Sequence, residues 1–211
     1  AAGRWPAAPD MINHMSFNVA VLASHTGTNL QALTTAGQQP ASDFNVTLVI
    51  SNNSGSGALA HAREQGITGI HLSGRTHPDP EALDQTMLAA LREDDVDLVV
   101  TAGYMKKIGP AVLDAYQDRI INIHPALLPR HGGPGMHGRH VHEAVLASGD
   151  TLSGATVHHV TANYDEGPVI AQQQVPVLPG DTPDTLAARV LQAEHQLLPA
   201  TVQALARAHT D

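Results

Sequence analysis

The sequence predicts an α/β fold: a mostly parallel sheet that ends in an antiparallel hairpin and a long C-terminal helix. Three observations carry this. Short apolar runs alternate with helix-patterned segments up to Ile123, the spacing of parallel βαβ units with right-handed crossovers. Beyond the middle of the chain, two β-like runs lie so close in sequence that they must pair antiparallel. The apolar residues are overwhelmingly aliphatic: 42% of the 211 residues are hydrophobic, yet only 3% are aromatic. That supply suits helices packed on a sheet better than an aromatic-filled sandwich.

The elements follow in order. Asn18–Ala23 is an apolar run that ends in the polar turn Ser24–Asn29, after which Leu30-Gln31-Ala32-Leu33 opens a helix. Asn45–Ile50 is the next strand, followed by the turn-rich Ser51–Gly57 and a helix over Ala58–Gln65. A short Ile67–Leu72 strand, a proline-containing loop (Ser73–Pro80) and a helix over Glu81–Arg92 lead to Asp97–Ala102, the most clearly buried strand. Pro110–Tyr116 reads as a short helix and Arg119–Ile123 as a further strand. After the glycine-rich loop His131–Gly138 comes a helix over His140–Ser148. The hairpin strands Gly154–Val160 and Val169–Val177 flank the turn Asn163–Pro168. The last helix, Asp184 to Ala208, is expected to break or bend at Pro199, where a backbone donor is missing. With no repeat and no linker, residues 15–211 read as one domain. Residues 1–14 lack any strand or helix period and any basic-then-apolar leader pattern, so they read as a disordered tail or vector remnant.

Composition narrows the function classes. Eleven basic residues against 20 acidic ones give a net charge of −9, and no basic face is visible for a nucleic acid. An anionic small substrate stays open, because local backbone donors can outweigh a global charge. The absence of cysteine excludes disulfides, thiolate catalysis and cysteine-bound zinc, and fits a cytoplasmic protein. No apolar run approaches the ~20 residues of a membrane span. The histidines at 131, 137, 140 and 142, with Glu143, invite a metal reading. On a helix, however, His140 and His142 diverge by about 200°, so no metal is expected. His158 and His159 alternate across a strand, so at most one of them faces any given site.

The chemistry-bearing stretch is Asn122-Ile123-His124-Pro125-Ala126-Leu127-Leu128-Pro129. Residues two apart on a strand point to the same side, and the prolines turn the chain there. Asn122 and His124 are thus presented together at a strand's carboxyl end, where open α/β sheets bind ligands. An amide can donate to a developing oxyanion and an imidazole can move a proton near neutral pH, a pairing suited to acyl-type transfer. Asp165, in the hairpin turn, is a natural partner to orient the imidazole and raise its pKa. The alternative is a structural histidine, and sequence does not show that Asp165 reaches it. Gly27-Thr28-Asn29 would place exposed amides and a hydroxyl at a helix N-terminus, an anion site; equally, Thr28 or Asn29 could simply cap that helix. The segment Gly103-Tyr104-Met105-Lys106-Lys107-Ile108 leaves the central strand through a glycine. It reads either as an apolar wall with free main-chain groups for a flat heterocycle or as an ordinary strand exit.

These residues together resemble the phosphoribosylglycinamide formyltransferases, folate-dependent enzymes of purine synthesis. The resemblance runs from Met15 to the C-terminus. It is carried by Ser24–Ala32, Ala102–Met105, Asn122–Pro129, Thr156-Val157-His158, Asp165-Glu166-Gly167-Pro168 and Ala193-Glu194-His195. It implies a Rossmann-like N-terminal half extended by the hairpin and long helix. It also implies 10-formyltetrahydrofolate as co-substrate, glycinamide ribonucleotide as acceptor, and a monomer or homodimer. The roles it implies are oxyanion donor for Asn122, acid–base group for His124 and orienting carboxylate for Asp165. Gly27, Thr28 and Asn29 would hold the phosphate, and Leu191, Gln192, Ala193 and Glu194 the ribosyl part. Met105, Lys106, Lys107 and Ile108, together with Asn122 and Thr161, Ala162, Asn163, Tyr164 and Asp165, would hold the folate.

Three departures accompany the resemblance. Pro80 aligns with a ligand-binding arginine of the family, with Arg75 nearby; Lys106 stands where arginine is frequent; and the loop His131–Gly138 is longer than in short members. Two further readings share the residues: a hydrolase that gives the formyl group to water, and a non-catalytic module that binds a phosphorylated ligand. The missing Gly-x-Ser-x-Gly elbow agrees with direct transfer without a covalent enzyme intermediate.

Overall fold

The computed structural model describes residues 17–210; the expected N-terminal tail lies outside them. Seven strands form one sheet in the order β3-β2-β1-β4-β5-β6-β7. They are β1 (Phe17–Leu22), β2 (Phe44–Ser51), β3 (Thr68–His71), β4 (Leu98–Thr101), β5 (Ile120–His124), β6 (Leu152–His159) and β7 (Val169–Pro176). The helices are α1 (Thr28–Gly37), α2 (Gly57–Glu64), α3 (Pro80–Glu93), α4 (Pro110–Ala115), α5 (Arg139–Ser148) and α6 (Pro183–Thr210). β1 to β5 pair parallel, and β6 runs antiparallel to both neighbours.

Alternation along each strand splits the core between the two sheet faces. Val19 and Val21, with Val49, Val100 and Ile121, pack under Leu30 and Leu33 of α1, Ala58 and Ala62 of α2, and Leu198 and Val202 of α6. Ala20 and Leu22, with Ile50, Val99 and Ile120, pack under Met87, Leu88 and Leu91 of α3 and Val112 of α4. Both faces are therefore covered, which is why the parallel strands read as continuous apolar runs. The first amides of α4, like those of any helix, have no partner within the helix, and its N-cap residue Gly109 has no side chain to supply one. The buried Asp84 of α3 accepts from the amides of Ala111 (2.7 Å) and Val112 (3.2 Å) and caps α4.

Two features depart from the sequence reading. α6 continues through Pro199 without a break. Leu198 and Val202, on either side of the proline, are fully buried against the sheet, and that packing outweighs one lost backbone bond. β6 pairs antiparallel with β5 although a helix joins them, so the antiparallel part of the sheet begins one strand earlier than the hairpin. Its register sets Asn122 opposite His158 and His124 opposite Thr156.

The order of the strands positions the site. From β1 the chain runs outward through β2 to β3, then returns to place β4 on β1's other side. The crevice beyond the carboxyl ends of β1 and β4 is the topological switch point, where such sheets bind ligands. Ser24 and Gly103 close its floor: the Ser24 amide donates to the Gly103 carbonyl (3.1 Å), and the Met105 amide donates to Ser24 Oγ (2.8 Å).

Candidate active site

β5 carries Asn122 and His124 to the same crevice. Asn122 is locked at both ends: the Thr101 hydroxyl donates to its Oδ1 (2.8 Å), and its Nδ2 donates to His158 Nε2 (3.0 Å). The acceptor role of His158 Nε2 follows from its other nitrogen, Nδ1, which donates to the His159 carbonyl (2.9 Å). The amide is thereby held one way round, and one Nδ2 hydrogen is left for a ligand.

His124, with 4% of its surface exposed, donates from Nε2 to the His131 carbonyl (2.8 Å). Its Nδ1 lies 3.6 Å from Asp165 Oδ2, too long for a hydrogen bond but close enough for the carboxylate to attract an imidazolium. Nδ1 is therefore the nitrogen left to take up and give back a proton. Burial pushes the imidazole below its ordinary pKa, and the Asp165 charge and the His131 carbonyl only partly offset it. Asp165 does act to raise the pKa, as expected of a carboxylate that favours the cation, but desolvation lowers it by more. Desolvation thus favours the neutral imidazole, and the His131 carbonyl fixes its proton on Nε2.

Asp165 sits in the hairpin turn at φ 56° and accepts from the Gly133 amide (2.9 Å). Its Oδ1 lies 3.5 Å from His158 Nε2. Burial works against its charge, yet His158 and His124, when they carry a proton toward it, and the Gly133 amide hold the carboxyl below its usual range. Asp165 thus stays ionised between two imidazoles.

The first strand-to-helix turn is built differently. Gly27 takes φ 73° as the N-cap of α1, and no side chain caps the amides that follow. Space also demands glycine there, since a Cβ would meet Ala58 Cα at 3.0 Å. No side chain therefore caps this helix N-terminus as the capping alternative requires, and its amides are of the kind that can receive an anion. Asn29 turns to α6 instead, donating from Nδ2 to Glu194 Oε1 (3.4 Å), while its Oδ1 is buried without a hydrogen-bond partner. Glu194 is 8% exposed, and burial lifts its carboxyl to about 7, the Asn29 contact offsetting only part.

All of these groups line one cavity of about 850 Å³, at the upper end of small-molecule sites. Gly27, Thr28, Asn29, Met105, Lys106, Lys107, Ile108, Asn122, His124, Thr161, Ala162, Asn163, Tyr164, Asp165, Leu191 and Glu194 all lie on its wall. The two segments expected to hold a flat heterocycle touch each other: the Lys107 ammonium lies 5.1 Å above the Tyr164 ring. Two expectations are corrected. Gln192 and Ala193 do not line the cavity, because one helical face carries Ala187, Ala188, Leu191 and Glu194. Ala193 instead packs with Val145, Val175 and Val190, and Gln192 is exposed. Neither Arg75 nor Pro80 reaches the wall; Pro80 opens α3 behind the Asp79 cap.

Four contributors were missed. His158 and Thr101 lock Asn122; strand alternation allowed one of the 158/159 pair to face the site, but only the register across β5 and β6 selects His158. Ser24 ties the two strand exits. His142 is 5% exposed, lines the cavity and keeps a buried Nδ1 without a hydrogen-bond partner. Burial, and then His124, lower its pKa. Among the described residues no group of three or more His, Cys, Asp or Glu side chains could hold a metal ion. No helix among them is long and apolar enough to cross a membrane.

Residues 17–202 match the formyl transferase family model. The chain belongs to that family. It is 42% identical over 188 residues, 89% of its length, to a chloroplastic phosphoribosylglycinamide formyltransferase of Vigna unguiculata, of which it spans 60%. It is 38% identical to the phosphoribosylglycinamide formyltransferase of Escherichia coli K12, covering 88% of this chain and 85% of that one. A crystal structure of glycinamide ribonucleotide transformylase 1 from Symbiobacterium toebii superposes with a TM-score of 0.86 at 37% identity, over 93% of this chain and 90% of that one. The sheet with its antiparallel extension and long last helix is thus the fold of these transformylases.

Proposed function

We propose that the chain transfers the formyl group from N10 of 10-formyltetrahydrofolate to the amine of glycinamide ribonucleotide, in purine biosynthesis. The observation that carries this is the convergence of Asn122, His124 and Asp165 on one cavity wall. That cavity also holds an uncapped helix N-terminus for a phosphate and the Met105–Ile108 and Thr161–Asp165 walls for a pterin. The relatives named for this reaction support the reading. The same proposal takes the cytoplasm as the compartment.

The amine attacks the formyl carbon, forming a C–N bond and a tetrahedral oxyanion. The free Nδ2 hydrogen of Asn122 donates to that oxygen, in an orientation already fixed by Thr101 and His158. As the neutral His124 Nδ1 takes the proton from the attacking nitrogen, Asp165 stabilises the imidazolium that forms. His124 then returns the proton to N10, the C–N10 bond breaks, and tetrahydrofolate leaves. One proton has moved from the amine to N10, and no covalent enzyme intermediate is needed. Phosphate binds the Thr28 and Asn29 amides, and Glu194, once ionised, accepts from ribosyl hydroxyls.

The test is release of tetrahydrofolate with and without glycinamide ribonucleotide. Transferase chemistry requires the amine. Equal release without it identifies a hydrolase, and no release under either condition identifies a binding module.

A further inference from the structure

We infer that Asp150, acting through the His131 imidazole, is a positioning residue that fixes His124 and Asp165 relative to one another; the inference rests on the formyl-transfer reading. His131 and Gly133 are two residues apart and each holds one of the pair. The His131 carbonyl accepts from His124 Nε2 (2.8 Å), and the Gly133 amide donates to Asp165 Oδ2 (2.9 Å). Between them Gly132 lies so close that a Cβ would meet Leu128 Cδ2 at 2.5 Å and Asp165 Cβ at 3.2 Å. The tripeptide 131–133 is therefore a bridge whose placement sets the distance between imidazole and carboxylate.

The bridge needs an anchor, because His131 has φ 54°, a region that β-carbon-bearing residues adopt only when their surroundings impose it. Its side chain supplies one. His131 Nε2 lies 2.7 Å from Asp150 Oδ2, and Arg130 Nη2 lies 2.6 Å from Asp150 Oδ1. Arg130 is 63% exposed, whereas His131 and Asp150 are 15% and 11% exposed, so the half-hidden His131–Asp150 contact is the better-shielded of the two. The His131 bond is the first cause holding the Asp150 carboxyl below its ordinary value. Asp150 lies in the three-residue connection from α5 (ending at Ser148) to β6 (starting at Leu152), so the pair ties the loop's first residue to the edge of the strand that lies beside β5.

The experiment compares the full chain with Asp150→Ala, His131→Ala and His131→Gln. A glutamine amide can reach the place of the imidazole Nε2 and still donate to Asp150. The expected result is a kcat lowered by about 10- to 100-fold in both alanine variants. KM for either substrate should change by less than about threefold, and His131→Gln should restore most of the turnover. Long-range 15N–1H NMR on His124 reads the arrangement independently of activity. The parent should show the Nε2–H tautomer near neutral pH, and the alanine variants a mixture. If kcat per folded molecule and the His124 tautomer are both unchanged in the alanine variants, the inference is overturned. So it is if glutamine behaves as alanine does. If Asp150→Ala does not fold, the two His131 variants decide by the same readings. A His124→Ala variant with full turnover would instead overturn the formyl-transfer mechanism itself, so the two failures are distinguishable.

Discussion

The two ends of the cavity handle polar groups in opposite ways. Around Asn122 and His124 the protein fills its own valences: both ends of the Asn122 amide and the His124 Nε2 are hydrogen-bonded. One donor hydrogen on the amide and one imidazole nitrogen remain. Around Gly27–Asn29 and Glu194 the valences are left open. No side chain caps α1, Asn29 Oδ1 is buried unpartnered, and Glu194 has a single long contact. The lesson is a division of labour. Chemistry needs side chains that do not reorganise during the reaction, whereas binding draws its energy from groups that the protein alone leaves unsatisfied. The first end is bought with ordered bonds, the second with strain in the free protein.

That contrast can be broken or sharpened by mutation, starting with the largest effect. Asn122→Ala removes the one oriented oxyanion donor and should lower kcat ~100- to 1,000-fold, with the circular dichroism of the parent. Near-normal turnover would remove Asn122 from the mechanism.

At the open end, Glu194→Gln should stabilise the ligand-free protein. The folded carboxyl titrates at about 7, above its unfolded value. The folded state therefore binds the proton more tightly, and stability is lost as pH rises from the unfolded pKa through the folded one. Urea unfolding should show the glutamine variant ahead by up to about 3 kcal/mol at pH 8, with the gap closing near pH 4.5. A gap independent of pH would mean that the carboxylate is not strained.

Gly27→Ala forces a side chain onto φ 73° and against Ala58. It should raise KM for the phosphorylated substrate by about tenfold, the equivalent of one or two lost hydrogen bonds, and leave KM for the folate nearly unchanged. Steady-state titration of each substrate separates the two. Thr101→Val, the mildest change, leaves the Asn122 amide held only by His158. Turnover should fall several-fold, on the order of one hydrogen bond, without a change in either KM. An equal rise in both KM values would instead place Thr101 in general cavity shape.

Much of the candidate site was legible because it is local. Asn122 and His124 share a side by strand period alone, and the chain's turn at Pro125 puts them at the strand's end. Gly27 announced a tight turn into a helix. Gln192 and Ala193 were included as neighbours of Glu194, although the helical period that groups Leu191 with Glu194 already excludes them. His158 was harder to find. Its role depends on which residue of β6 stands opposite Asn122, and a connection containing a whole helix gives no hint that β5 and β6 run antiparallel.

By itself the sequence determined the βαβ rhythm, the hairpin, the family and the Asn-x-His presentation, because each is written in periods and motifs a few residues long. Only the tertiary structure decided that Asp165 stands within 3.6 Å of His124, that burial lowers the pKa of His124, and that Glu194 is desolvated beside Asn29. The physical reason is common to all three. Distances between residues far apart in the chain, and the water removed around them, arise from packing the two faces of the sheet, and no local pattern encodes either.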